Sequence, residues 1–401
     1  MRTGKKLLSA AVGMTAVLWL SLSYGQIKEA EVSAAVRNAV QPFIADGEIA
    51  GAVTLVAKNG KVVSHEAMGL SDLNTKRAMK KDDLFWIASM TKPMVGAAAM
   101  MLADEGKLDI HDDLEKYLPE FSDLWMVDQK SGNKMILKRP ARRITLLDVA
   151  THTAGIGNVE EPRSHTALAE LVAMASLRPL EFEPGSQWKY STMGTHVLGR
   201  VVEVVAGEPL DQFLQKRLFD PLEMKETTFF PSKQKLGRIA KSYLKNDKIQ
   251  ELTETEIYFI KGDLWDTERT VKPGGGLFST AGDVWHFYQM MLNKGVWKGR
   301  RVLSEKAVKE LTRTQSGDIR TGFTEGQSWG IKFQVVKEPQ GITAMLHPGT
   351  FGHGGAYGTQ SWADPVNQTI YILMIQRRGF PNGDNSPVRM VFQTAAAKVL
   401  E

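Results

Sequence analysis

The sequence predicts an α+β fold. One antiparallel sheet, formed from both chain ends and flanked by helices, surrounds a mostly helical inserted region. Three observations predict it. Two β-rich runs flank Asn59-Gly60 near the N-terminus, the dipeptide that suits a tight hairpin turn. Strand signals return only near the C-terminus, where aromatic and β-branched residues concentrate. Between them, from about residue 111 to 290, helical and loop signals dominate, which places a helical insertion inside a sheet drawn from both ends.

Taken in order, Val32, Val36, Val40 and Phe43 recur at helical spacing and predict a helix over 29–48. Residues 52–57 and 61–64 form the hairpin. Residues 90–105, rich in Ala, Met and Leu, predict a buried helix that ends near Gly106. Residues 126–143 are polar and basic and are expected to be a surface loop. Leu198–Val205 and Asp283–Leu292 read as parts of apolar helices. Trp329–Val336, Tyr357–Trp362 and Thr369–Gln376 read as strands, and Val388–Leu400 as a closing helix. The α/β part is expected over about 26–110 and 290–401, the helical part over about 111–289.

Composition narrows the function classes. Hydrophobic content of 43% and charged content of 24% give an ordinary globular core. No cysteine is present, so disulfides, thiolate catalysis and Cys-based metal sites are excluded. The N-terminus reads as a signal peptide over residues 1–25. Arg2, Lys5 and Lys6 precede the mostly apolar run 7–22, and Ser23 and Gly25 stand at the −3 and −1 positions of a cleavage site. Export to the periplasm or the medium is therefore expected, with no stable membrane insertion after cleavage. Losing those three cations lowers the formal charge from +5 to +2, too little to argue for nucleic acid. Lys138, Arg139, Arg142 and Arg143 read as a solvated basic face. The eight histidines show no His-Glu-x-x-His spacing, so neither a catalytic metal nor a cofactor is expected.

Ser-x-x-Lys occurs five times, starting at Ser89, Ser131, Ser186, Ser232 and Ser242. Only Ser89 follows an apolar run and opens an apolar helix. Residues three apart share a helical face, so Lys92 can reach the Ser89 hydroxyl. A helix N-terminus favours a developing oxyanion, and burial would lower the lysine pKa enough for it to act as a base. Taken alone, the motif favours a serine that merely caps a core helix beside a solvated lysine.

The rest of the chain adds a resemblance. Ser89-Met90-Thr91-Lys92, the stretch from Leu147 to Gly155 containing Thr151-His152-Thr153-Ala154-Gly155, the segment Glu183–Ser191 ending in Tyr190-Ser191, Gly275–Asp283, and Gly352-His353-Gly354-Gly355-Ala356 occur in that order. Together they resemble the serine β-lactamase-like superfamily, and within it the group of class C β-lactamases, D,D-carboxypeptidases and family VIII esterases, over about residues 33–400. The resemblance implies Ser89 as nucleophile, with Lys92 and Tyr190 handling its proton. It also implies an oxyanion hole from the Ser89 and Ala356 N–H groups, with His353, Gly354 and Gly355 lining a strand edge open to substrate. His152 is read as structural, holding a turn.

Two departures bear on substrate. Thr192 stands where penicillin-recognising members usually carry Asn. His353-Gly354-Gly355 stands where they commonly carry Lys-Thr-Gly. An amide donor and a permanent cation for a substrate carboxylate are thus missing, which favours a carboxylesterase of family VIII type, although those enzymes commonly carry Trp at the place of His353. A D,D-carboxypeptidase or β-lactamase is the nearest rival, and a catalytically silent binding homologue is a third reading. The expected partner is a small ester, amide or peptide. The acyl and leaving groups, hydrolysis versus acyl transfer, and the oligomeric state are left open.

Overall fold

A computed structural model describes residues 28–246, 250–380 and 386–401. The expected signal peptide lies outside the described residues. An eight-stranded antiparallel sheet organises the molecule. Its strands run, edge to edge, Gln327–Trp329, Gln334–Val336, Phe351–Gly354, Gln360–Asp364, Thr369–Met374, Gly51–Lys58, Lys61–Asp72 and Arg77–Ala78. The two chain ends meet at its centre, where Val53 faces Met374 and Leu55 faces Ile372. Asn59 and Gly60 both take positive φ, at 51° and 78°, as the two-residue turn between the first strands requires.

Side-chain alternation along these central strands builds two cores. Val53, Leu55, Ala57, Ile370, Ile372 and Met374 point to the side of helix Lys92–Asp104. Ala52, Val56, Tyr371, Leu373 and Ile375 point to the other side, covered by the helix at 28–45 and by Pro387–Leu400. There Val32, Val36 and Val40, one turn apart, are fully buried against Val388, Phe392 and Ala396. Helix Ala281–Leu292 packs on the strands Gly51–Lys58, Gln360–Asp364 and Thr369–Met374, so it belongs with the sheet.

Three segments differ from the sequence reading. Residues 126–138 form a hairpin, Met126–Ser131 with Lys134–Lys138, rather than a loop. One of the other Ser-x-x-Lys matches, Ser131 to Lys134, sits at its turn. The basic residues near it are ion-paired rather than merely solvated: Lys138 with Asp128, Arg139 with Asp123 and Arg142 with Asp148. The stretch 329–336 is not one strand. It turns at 330–333, where the Gly330 N–H donates to the Phe333 carbonyl and Lys332 takes a φ of 61°. Tyr357 and Gly358 lie in the turn before Gln360–Asp364, and the strand on the other side of that turn is Phe351–Gly354. Glycine makes that turn possible.

Candidate active site

Ser89 lies in a 3-10 turn, Ala88–Thr91, that runs straight into helix Lys92–Asp104 with Pro93 in its first turn. Ala88 is held at a φ of 47°, a conformation an L-residue adopts only under constraint. The constraint is the segment 274–279. Phe85–Trp86 pairs with Phe278–Ser279. The Ile87 N–H donates to the Leu277 carbonyl at 3.0 Å, the Trp86 Nε1–H donates to the Gly275 carbonyl at 2.6 Å, and the Leu277 N–H donates to Thr91 Oγ1. The glycine-rich motif at 274–276 therefore braces the serine turn from behind.

Lys92 is completely buried. Its ammonium lies 3.0 Å from Ser89 Oγ and donates to the Gly274 carbonyl at 2.5 Å. Burial lowers its pKa from 10.5 to about 7, because no carboxylate compensates for lost hydration. At neutral pH a substantial fraction is a free amine beside a hydroxyl. Ser89 itself is only half-buried and opens to a cleft.

Tyr190 closes the other side. Lys92 Nζ sits 4.8 Å from its ring centroid. The residue is fixed by its successor: Ser191 caps helix Thr192–Ala206, its side chain accepting from the Gly194 N–H and donating to the Ile156 carbonyl. The Ser191 N–H donates to His152 Nδ1 at 3.1 Å. His152, at a φ of 65°, ends helix Leu146–Thr151 and stacks on Tyr190 at 4.6 Å. Burial, followed by the charges of Lys332 and Lys92, holds its pKa well below the usual histidine value. A neutral ring thus accepts the Ser191 proton. Trp329 and Phe323 complete an aromatic wall around Tyr190.

Phe351–Gly354 brings the third motif beside the serine turn. Ser89, Tyr190, Thr192, His353, Gly354, Gly355 and Ala356 all line one cleft of about 460 Å³. Ala356 is exposed in the turn beyond the strand. Among the described residues, neither its N–H nor that of Ser89 donates to a backbone carbonyl. His353 is buried, and its Nδ1 lies 2.7 Å from the Gly354 carbonyl. A carbonyl only accepts, so Nδ1 carries the hydrogen. Nε2 is then a bare lone pair, and it has no partner among the described residues. Burial, and after it the charge of Lys92, lowers the His353 pKa to about 3, so the ring is neutral and not a substitute for a lysine.

Gly355 has a packing purpose beside the one read in the sequence. A Cβ on Gly355 would lie 1.9 Å from Thr359 Oγ1 and 2.7 Å from the Ile87 carbonyl. The missing side chain lets the strand end close on the serine turn; it does not simply clear space for substrate. Gly355→Ala is expected to cost about 2–3 kcal/mol through overpacking, read as a lowered urea midpoint. It should also weaken activity in the folded fraction, because the Ala356 N–H moves with it.

Sequence reasoning missed two arginines. Arg389, fully buried in the closing helix, donates to the carbonyls of Gly355, Gly358 and Thr359 and so fixes the turn that carries Ala356. Its only signal was a cation in an otherwise apolar helix. Arg378 lines the cleft, exposed, and no local pattern marks it. Lys332, also completely buried, donates to the Val149 carbonyl at the end of helix Leu146–Thr151. No group of three or more His, Asp or Glu able to hold a metal is found among the described residues, nor is any helix there long and apolar enough to cross a membrane.

A family model described as Beta-lactamase matches residues 36–395. The chain belongs to the beta-lactamase family. It is 34% identical over 358 residues to protein Rv1367c of Mycobacterium tuberculosis, covering 82% of this chain and 86% of that one. It is 27% identical over 353 residues to a Salmonella agona protein named "Putative D-alanyl-D-alanine carboxypeptidase", covering 82% and 78%. Among solved structures, the fold matches EstCE1, described as a hydrolase with promiscuous acyltransferase activity, at a TM-score of 0.78. Identity there is 23%, over 92% of this chain and all of that one. A penicillin-binding protein homologue from Caulobacter crescentus matches at 0.73, with 21% identity over 92% and 98%. Membership of this family supports a serine hydrolase in general, among neighbours named as a hydrolase with acyltransferase activity and as a carboxypeptidase.

Proposed function

We propose that the protein is a carboxylesterase that works through an acyl-enzyme on Ser89. The observation that carries this is a fully buried Lys92, with a pKa near 7, hydrogen-bonded to a serine that faces a cleft. Ser89 Oγ attacks the ester carbonyl while its proton passes to neutral Lys92, with Tyr190 beside both. The Ser89 and Ala356 N–H groups hold the oxyanion. The proton returns through Tyr190 to the departing alkoxide, and water, deprotonated by the same pair, releases the acid. Thr192 and neutral His353 supply no amide donor and no cation, which favours an ester over a β-lactam or a peptide carboxylate. We further propose that residues 1–25 direct export, so that the enzyme acts outside the cytoplasm. The mature N-terminus of secreted material, by mass, should then be Gln26.

One observation favours a second reading. Arg378 in the cleft can hold a carboxylate that the third motif cannot, and this suits a D,D-carboxypeptidase. Parallel assays decide between them, with p-nitrophenyl butyrate, nitrocefin and a peptide ending in D-Ala-D-Ala. The esterase reading expects ester kcat/KM at least a hundredfold above that for nitrocefin and no release of D-alanine. D-Alanine release that is lost in Arg378→Ala would replace it with the peptidase reading.

A further inference from the structure

A second groove adjoins the catalytic cleft. It is larger, about 1010 Å³, and its walls include Leu236, Ile239, Ile257, Ile260, Leu264 and Trp265. Tyr258 lines both spaces. Its ring is 57% exposed, meets Trp86 edge-on at 6.3 Å and lies 6.0 Å from Tyr357. Arg378 from the cleft side sits 5.1 Å from its centroid. The floor of the groove is the outer surface of a distinct apolar cluster: Leu236, Ile257 and Leu264 pack on Leu84, Trp86, Ala88 and Phe278. The same cluster holds the serine turn from behind. The groove is therefore rigidly tied to the reacting centre and not a remote surface feature.

Five charged residues also line the groove, Lys241, Glu254, Glu256, Lys261 and Asp263, and three of them are engaged. Lys241 pairs with Glu254 at 2.8 Å, and Lys261 donates to the Glu161 carbonyl. The apolar area for an acyl or alkyl chain is the part formed by Leu236, Ile257 and Leu264 on the apolar cluster. A cleft of 460 Å³ alone would suit a small ester, whereas the two spaces together exceed what such a substrate fills.

We propose that this groove receives the apolar body of the ester, and that the preferred substrates carry an alkyl or aryl group of about eight carbons or more. The inference rests on the esterase reading above. Each methylene that enters the groove should raise kcat/KM roughly three- to fourfold.

The test compares p-nitrophenyl acetate with p-nitrophenyl octanoate, on the full enzyme and on Trp265→Ser and Trp265→Asp. Trp265 is an exposed loop residue outside the cluster that holds the serine turn, and the acetate rate reports whether each variant is intact. The expected result is at least a tenfold preference for octanoate. Each variant should cut octanoate kcat/KM about tenfold, mainly through KM, and leave acetate unchanged. Octyl acetate against ethyl octanoate then identifies which side of the ester enters: a gain for either one supports the groove. Equal kcat/KM for acetate and octanoate, or variants that lower both alike, would overturn the inference. Absence of Ser89-dependent hydrolysis for every ester would overturn the esterase reading and this inference with it.

Discussion

Lys92→Met is expected to abolish nearly all turnover and at the same time to make the protein more tolerant of acid. The loss of activity should be about 10³- to 10⁴-fold in kcat, the upper range for removal of a general base. Among the described side-chain hydrogen bonds, Lys92 is the base that reaches Ser89 Oγ; the unpartnered Nε2 atoms of His353 and His152 belong to rings whose pKa burial holds well below the usual histidine value, so they are weak bases. In the unsubstituted enzyme the rate should rise with pH and level off above an apparent pKa near 7, as Lys92 loses its proton.

Stability follows the same proton. The folded-state pKa lies below the unfolded value of 10.5. Between about 7 and 10.5 the unfolded chain holds a proton that the folded chain does not, so stability gained through this group rises with pH across that window. Below pH 7 the full cost of burying an ammonium is present. Methionine carries no such cost. Its stability relative to lysine should therefore be greatest at acid pH and shrink by about 1.4 kcal/mol per pH unit above 7. Urea unfolding of both proteins at pH 6.5 and 8.5 should show the difference narrowing by about 2 kcal/mol. A constant difference would mean that Lys92 is not buried as a titrating amine. The pairing of lost activity with gained stability is what a group held at a functional cost predicts.

Much of this site was legible in the sequence because its parts are local. Ser89 and Lys92 are three residues apart on one turn, so a short motif with apolar context is enough to bring them together. Asn59-Gly60 dictates its own turn. The sheet built from both ends was legible because its central strands are buried on both faces and read as continuous apolar runs. What was hidden depends on long-range closure. Arg389 meets Gly355 and Thr359 only because the closing helix folds back over the sheet. Arg378 reaches the cleft through a strand edge, Arg377–Arg378, that pairs with Tyr243–Asn246. The hairpin at 126–138 was read as a loop because nearly every residue beyond Val127 is exposed. No alternation between core and solvent marks it. The turn at 330–333 was missed because Lys332, not glycine, takes the left-handed conformation. The glycines of the third motif are legible, but the packing purpose of Gly355 depends on Ile87 and Thr359, distant in sequence and adjacent in space.

Ser89→Ala should lower ester kcat by about 10⁴-fold or more, since no other oxygen nucleophile is within reach of Lys92 Nζ among the described hydrogen bonds. The fold should be unaffected, because Ser89 donates to no structural acceptor there. Loss of activity alone does not prove a covalent intermediate. The direct measurement is the intact mass of the enzyme quenched in acid within its first turnovers of p-nitrophenyl butyrate, followed by peptide mapping. The account predicts a mass gain of one butyryl group, confined to the peptide that carries Ser89 and absent from the Ser89→Ala protein. Steady turnover with no acylated species, or acyl mapped to a residue other than Ser89, would contradict it.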